Sequence, residues 1–372
     1  MHILICSDSF KGSLTSREVS YIIRDILIKK FPKAKVYAIP LADGGEGSIN
    51  ALKSDKGSKI IRHLATDALM QRLQAAFLLF PESKHAVIEL AQTCGLSILN
   101  IEDRNCFNTS TYGLGLQILE AMKYDVKSID LLVGGSATND LGIGMAAALG
   151  YKFFDGATLI DRPCGKDMLS VTRIDKSDYV AVDIAFRVVT DVDNTLLGHN
   201  GAAATYGKQK GANEEQLTQL EAGAENIVKL IQENHDVDYQ RHEGAGAAGG
   251  VGYGAMAFLG ASKESGIDYI MDKLGILENI KLADLIITGE GKLDKQTLNG
   301  KLISGICKLA KTQGKRVVAV CALSELVDKE SQALGLNKVY PLYMTLPEKI
   351  SRKDTEMRLQ KITAQLIIDH LE

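Results

Sequence analysis

No two of the six cysteines (Cys6, Cys94, Cys106, Cys164, Cys307, Cys321) form a C-x-x-C pair, which argues against both a zinc site and a disulfide framework. They read as reduced packing residues, and the cytoplasm is the expected compartment. Long apolar runs are missing too: none approaches the roughly 20 residues that a spanning helix needs, so no membrane association is expected. The opening MHILICSDSF lacks the basic start, extended apolar core and cleavage site of a signal peptide. Charge of one sign is also lacking, since 43 basic and 46 acidic residues leave a formal net charge of -3. That excludes the basic footprint of a nucleic-acid binder and favours a small-molecule partner.

Several catalytic signatures are absent as well. Each Gly-Lys pair (at Lys166, Lys208, Lys292, Lys301 and Lys315) is followed by something other than Ser or Thr, so there is no Walker A loop. The protein-kinase loop set and the G-x-S-x-G elbow are missing, and the seven histidines have no metal-binding spacing. What the chain does have is length, 372 residues, enough for two cores, and 35 glycines gathered in blocks beside apolar runs.

The apolar run His2 to Cys6, a helical spacing from Ser16 to Lys30 (Val19, Ile22, Ile23, Ile26, Leu27) and the run Lys35 to Pro40 predict a strand, helix, strand unit. The same grammar returns at Asp284 to Thr288, Arg316 to Cys321 and Val339 to Met344. Two opening and three closing strands predict an α/β fold. It has a discontinuous doubly wound, flavodoxin- or Rossmann-like parallel sheet domain (1–65 plus 281–372) and an inserted second α/β domain (66–280). Within the insert, Leu73 to Phe80 and His85 to Leu90 suggest an antiparallel hairpin, and Ile129 to Val133 and Arg187 to Thr190 read as further strands.

Six blocks carry candidate chemistry, each with a bland alternative beside it. Asp8-Ser9-Phe10-Lys11-Gly12-Ser13 follows the first strand, where open α/β sheets bind ligands, or is a solvated turn capping the helix. Leu41 to Ser48 (LADGGEGS) offers Asp43 and Glu46 as oxygen ligands for Mg²⁺, or is an ordinary loop. Gly134-Gly135-Ser136-Ala137-Thr138-Asn139-Asp140, ahead of a small-residue helical stretch from Leu141 to Gly150, reads as an anion cradle or as an N-capped turn. Asp191 and Asp193 at a strand's end could share a metal or a hydroxyl, or be solvated; strand alternation places both on one face. Gly244 to Gly254 contains G-x-G-x-x-G, but the preceding Asp238 to Glu243 is too polar for the buried strand of a dinucleotide fingerprint. A phosphate-contacting or domain-contacting loop, or close helix packing, remains. Thr288 to Asp294 (TGEGKLD), expected beyond a strand, brings Glu290, Lys292 and Asp294 together for metal binding and charge neutralisation, or is a run of ordinary turn residues.

Taken in order, DSFKGS, LADGGEGS, ELAQTCGL (Glu89 to Leu96), GGSATND, TDVDN, GAGAAGGVGYG and TGEGKLD closely resemble the class I glycerate kinases of bacteria over nearly the whole chain. The resemblance implies ATP- and Mg²⁺-dependent phosphorylation of glycerate, with glycerate 2-kinase the favoured regiochemistry, on a two-domain scaffold with the active site between domains. Phosphoryl transfer needs alignment, charge neutralisation and a metal, and roles follow from chemistry. Lys11, with Asp8, Ser9 and Ser13, would hold the substrate, and Lys11 would neutralise its carboxylate or the moving phosphoryl group. Gly134, Gly135, Ser136, Thr138, Asn139, Gly246 and Gly249 would hold the nucleotide. Asp191 is the candidate base, and Asp43, Glu46, Asp193, Glu290 and Asp294 are candidate metal ligands. A 3-kinase, a non-catalytic hydroxy-acid binder and a nicotinamide oxidoreductase are the rivals. Oligomeric state stays open, a homodimer included.

Overall fold

The computed structural model describes residues 1–10, 13–41, 47–53, 57–179, 183–234, 238–298, 302–345 and 351–372. Strands β1 (His2–Ser7) and β2 (Lys35–Ala38) open the chain. Strands β3 (Lys59–Thr66), β4 (Arg72–Phe80), β5 (His85–Glu89), β6 (Ser128–Leu132), β7 (Lys152–Asp155), β8 (Thr158–Ile160), β9 (Arg173–Asp175), β10 (Ala185–Val189) and β11 (Ser262–Glu264) follow. Strands β12 (Leu285–Leu293), β13 (Arg316–Ser324) and β14 (Lys338–Pro341) close it.

The chain divides into two compact units, Met1–Asp43 with Ile267–Glu372, and Gly44–Gly266. The sequence reading drew these boundaries at 65/66 and 280/281. Strand β3 pairs with β4 along its whole length, from Lys59 opposite Leu79 to Thr66 opposite Arg72, which ties it to the second unit. The helix Gly266–Lys273 packs Ile267 and Met271 against Gly305, which ties it to the first.

The first unit is built on a five-stranded sheet, β2-β1-β12-β13-β14, parallel throughout. Counting only these strands, the order is the 2-1-3-4-5 of the flavodoxin type, which reverses direction between β1 and β12. Parallel strands are covered on both faces and read as continuous apolar runs. Ile3, Leu4, Ile5 and Cys6 are buried, as are Leu285 to Ile287 and Val317 to Cys321. Helix Ser16–Lys30 begins at a Thr15/Glu18 capping box and buries Val19, Ile23 and Leu27; a fully buried leucine such as Leu27 contributes about 1.5–3 kcal/mol.

One expectation needs correction here. Strand β12 does not stop at Thr288: its pairing with β13 continues to Leu293 opposite Ser324, so Glu290 and Lys292 lie within the strand rather than in a loop beyond it.

The second unit contains a six-stranded sheet, β11-β10-β6-β5-β4-β3, and a small antiparallel sheet, β8-β7-β9. Strands β5, β6, β10 and β11 are parallel, whereas β4 joins β5 as the antiparallel hairpin read from sequence. Ile88, Leu131 and Val188 pack on one face with Leu114 and Ile118 of helix Tyr112–Met122 and with Val251 and Ala255. Among the described residues, no helix is long and apolar enough to cross a membrane.

Candidate functional site

Register aligns the carboxyl ends of the four parallel strands in the second unit. Glu89 lies opposite Leu132, Leu132 opposite Val189, and Val189 opposite Glu264, so the segments leaving these strands start level along one edge. Open α/β sheets bind ligands at such an edge. Glu89 is fully buried there and accepts from the Gly47 backbone N–H, and from Gln92 Nε2 at 3.4 Å.

Segment 134–140 leaves β6 at this edge. Gly135 is exposed with φ at 75°, whereas Ser136, Thr138, Asn139 and Asp140 are buried. Leu96 N–H donates to the Gly135 carbonyl at 2.8 Å, Ala137 N–H to the Cys94 carbonyl at 2.7 Å, and Thr109 Oγ1 to the Ala137 carbonyl at 2.9 Å. Thr138 Oγ1 is buried without a hydrogen-bond partner among the described residues.

The helix expected over Leu141 to Gly150 is shorter, Ile143–Ala148, because Leu141 and Gly142 take left-handed conformations at φ 53° and 73° that a helix cannot continue. Its N-terminal donors are already engaged. The buried Asp140 carboxylate accepts from Gly142 N–H (3.2 Å), Gly144 N–H (3.3 Å), Thr111 N–H (2.8 Å) and Thr111 Oγ1 (2.8 Å), and Met145 N–H donates to Thr111 Oγ1 at 2.9 Å. Burial raises the Asp140 pKa, and these hydrogen bonds oppose the shift. An anion cradle in this region must therefore use segment 134–139 itself rather than the helix end.

Lys210 reaches this segment from a distant turn. Its buried ammonium donates to Ser136 Oγ at 2.7 Å and to the Thr138 carbonyl at 2.8 Å, and burial lowers its pKa to about 8.

The glycine-rich stretch packs against the same segment. Ala248, Gly249 and Gly250 are all left-handed, and a Cβ on Gly249 would fall 2.0 Å from the Thr138 carbonyl oxygen. Leu141 N–H donates to the Gly249 carbonyl at 3.1 Å, and Gly246 N–H to the Asn194 carbonyl at 2.9 Å. Close backbone approach thus accounts for the glycine at 249. Residues 238–243, just ahead of this stretch, form no strand.

Strand β10 ends at Val189, so the alternation argument does not extend to Asp191 and Asp193. Both are exposed and turn to different partners: Asp191 Oδ1 accepts from Ser265 Oγ at 3.0 Å, and Asp193 Oδ1 pairs with Lys263 Nζ at 2.8 Å.

In the first unit, Asp8, Ser9 and Ser13 are half-buried beyond β1, at the sheet's reversal point. Ser9 N–H donates to Asp8 Oδ1 at 2.6 Å, Ser13 Oγ to the Phe10 carbonyl at 2.9 Å, and Asp8 N–H to the Gly289 carbonyl at 2.8 Å. Thr297 Oγ1 donates to the buried Glu290 Oε1 and accepts from Asp294 N–H at 3.1 Å. The Glu290 charge adds to burial in pushing the Cys321 thiol pKa up. Lys11, Asp43 and Glu46 lie outside the described residues. Among those described, no three His, Cys, Asp or Glu side chains gather as a metal-binding group. Mg²⁺ commonly takes only one or two carboxylates and completes its shell with water and phosphate; Glu290 and Asp294 are candidates of that kind, Thr297 linking the Glu290 carboxylate to the Asp294 backbone.

The family model for the glycerate kinase family matches residues 3–369. The chain belongs to the glycerate kinase family. A protein named glycerate kinase from Bacillus cereus is 35% identical over 371 residues, covering 98% of this chain and 97% of the relative. One named glycerate 2-kinase from Escherichia coli K12 is 37% identical over 324 residues, covering 86% and 84%. A crystal structure of a candidate glycerate kinase 2 from Salmonella typhimurium LT2 superposes with a TM-score of 0.83 at 32% identity, covering 99% of each chain. The resemblance read from seven motifs is borne out over the whole length.

Sequence reading missed Lys210, Lys263 and Ser265 in this family member. Lys210 stands in YGKQKGA, a short 3-10 turn with no pattern to mark it, and meets its partners more than 70 residues away. Asp140 and Glu89 stood inside quoted motifs, but only their burial reveals them as carboxylates that organise the surrounding loops.

Proposed function

We propose that the protein is an ATP-dependent kinase that phosphorylates D-glycerate, with 2-phosphoglycerate the main product. The family match over residues 3–369 carries this reading. The level carboxyl edge in the second unit and the reversal point in the first supply residues suited to phosphoryl transfer. In the proposed reaction, Asp191 takes the hydroxyl proton of glycerate as its oxygen bonds to the γ-phosphorus, and the bond from that phosphorus to the β–γ bridging oxygen breaks to release ADP. Ser265 orients the Asp191 carboxylate through its hydrogen bond.

Segment 134–139 is assigned to the phosphates, and Asp8, Ser9, Lys11 and Ser13 to glycerate. Mg²⁺, when bound, neutralises phosphate charge, and Glu290 with Asp294 would hold it. Asp193 is a weaker choice because the Lys263 ammonium already occupies its carboxylate. Because these residues divide between the two units, reaction at a cleft between them is part of the proposal. Free, buried cysteines support a reducing, cytoplasmic setting.

Incubation with ATP, Mg²⁺ and D-glycerate, followed by phosphorus NMR, tests activity and regiochemistry together. A 3-phosphoglycerate product would overturn the regiochemistry, and glycerate binding without turnover would favour a non-catalytic binder.

A further inference from the structure

We propose that Lys210 is a positioning residue of the phosphoryl-transfer site: its ammonium clamps Ser136 and Thr138 and fixes a positive charge beside the exposed Gly135 turn, which thereby receives an anionic group of a substrate. The inference rests on the reading of segment 134–139 as part of the kinase site.

The geometry is unusual for a lysine. Lys210 is 4% exposed, yet its acceptors among the described residues are a hydroxyl and a carbonyl, both neutral, and it forms no ion pair there. A buried cation without a paired carboxylate is costly, and removing it relieves a desolvation penalty that offsets the hydrogen bonds lost. Stability therefore gives little reason for this ammonium.

No charged or titratable group among the described residues pairs directly with it. The Asp140 charge favours the ammonium but its oxygens take four other donors rather than pairing with it, and the Cys106 thiol, pushed up to about 11 by burial, stays neutral at physiological pH. The backbone that carries the lysine is also pinned. Cys106 N–H donates to the Lys210 carbonyl at 3.0 Å, and Gly211, at φ 89°, lies so close to Arg104 that a Cβ would fall 1.8 Å from its carbonyl oxygen. The cation is thus held against the one segment of this edge where Gly135 is open to solvent.

The decisive experiment compares the full chain with Lys210→Met and Ser136→Ala. Steady-state kinetics in both substrates from pH 6.5 to 9.5 are paired with thermal melting. Lys210→Met should lower kcat/KM about tenfold or more, the scale of a lost charged hydrogen bond, with melting unchanged or raised. The substrate whose KM rises identifies the anion, an ATP phosphate or the glycerate carboxylate. Wild-type kcat/KM should fall as pH rises through about 8, where the ammonium loses its proton. Ser136→Ala removes one acceptor and should move that limb to lower pH, an effect a structural lysine would not produce.

Wild-type kinetics in Lys210→Met, or an alkaline limb unmoved by Ser136→Ala, would overturn the proposal. Should Lys210→Met fail to fold, the Ser136→Ala limb decides. Absence of any glycerate phosphorylation by the wild type would defeat the kinase reading instead. Calorimetric titration with ATP and with glycerate then tests Lys210 alone, equal affinities for both ligands in wild type and Lys210→Met counting against it.

Discussion

The two sheet edges that carry the candidate residues are held together in different ways. In the first unit short-range hydrogen bonds close the candidate segments: Ser9 to Asp8, Ser13 to Phe10, Thr297 to Glu290. In the second they span long stretches of chain, as in Lys210 to Ser136, Ser265 to Asp191, Lys263 to Asp193 and Thr111 to Asp140. A locally closed loop takes its shape from its own turn chemistry and loses little when one side chain changes. A buried network closed across distant segments takes its shape from the whole unit, and one missing partner leaves several groups unsatisfied. Substitutions at the first edge should therefore alter function with little change in stability, whereas buried ones at the second should alter both, except at Lys210, where relief of the buried charge offsets the lost bonds.

The largest effect expected is in turnover, and it sharpens the contrast by separating the two quantities at one position. Asp191→Asn keeps an oxygen to accept from Ser265, so melting should stay close to wild type. The amide cannot accept the glycerate proton, and kcat should fall about 10²- to 10⁴-fold. Retention of more than about a tenth of wild-type kcat removes Asp191 from the role of base.

Next comes the substitution that would break the contrast most directly. Asp140→Ala leaves the Thr111 N–H and hydroxyl and the Gly142 and Gly144 N–H groups without their acceptor in a buried place. A loss of about 3–5 kcal/mol is expected, visible as a markedly lower denaturant midpoint. A midpoint near wild type would show that water replaces the carboxylate and that the second edge is not held as a network. Gly249→Ala belongs to the same class at a smaller scale. Its left-handed φ and the adjacent Thr138 carbonyl predict about 1–3 kcal/mol of destabilisation, together with weaker binding at segment 134–139.

The same contrast explains what the sequence could and could not disclose. Runs such as His2 to Cys6, Asp284 to Thr288 and Arg316 to Cys321 announce buried parallel strands because burial on both faces leaves no alternation to interpret. They were enough to assemble the five-stranded sheet. Strands β7, β8 and β9, of three or four partly exposed residues, carry no such run. The extent of β12 depends on how far β13 continues beside it, a property of two segments that neither shows alone. At the site, residues marked by local glycine and acid chemistry were visible as candidates. Lys210 and Lys263 were not, since their significance arises only when the fold delivers them to Ser136 and Asp193. The cradle argument from a helix end went astray for the same reason, because Thr111 and Asp140 engage the donors that the sequence leaves open.

The smallest effect belongs to the first edge. Ser13 Oγ donates to the Phe10 carbonyl three residues away, and the side chain is half-buried. Removing such a bond exposes a carbonyl that water can reach, so Ser13→Ala should cost no more than about 1 kcal/mol. The helix that follows should keep its start, because Thr15 and Glu18, not Ser13, form its capping box. If Ser13 also contacts glycerate, KM for glycerate rises severalfold while KM for ATP holds. A shift in the denaturant midpoint as large as that of Gly249→Ala would mean that the loop after β1 is braced by more than its own turn, and the proposed difference between the edges would not stand. Unchanged stability with unchanged KM would keep that difference and remove Ser13 from the substrate contacts.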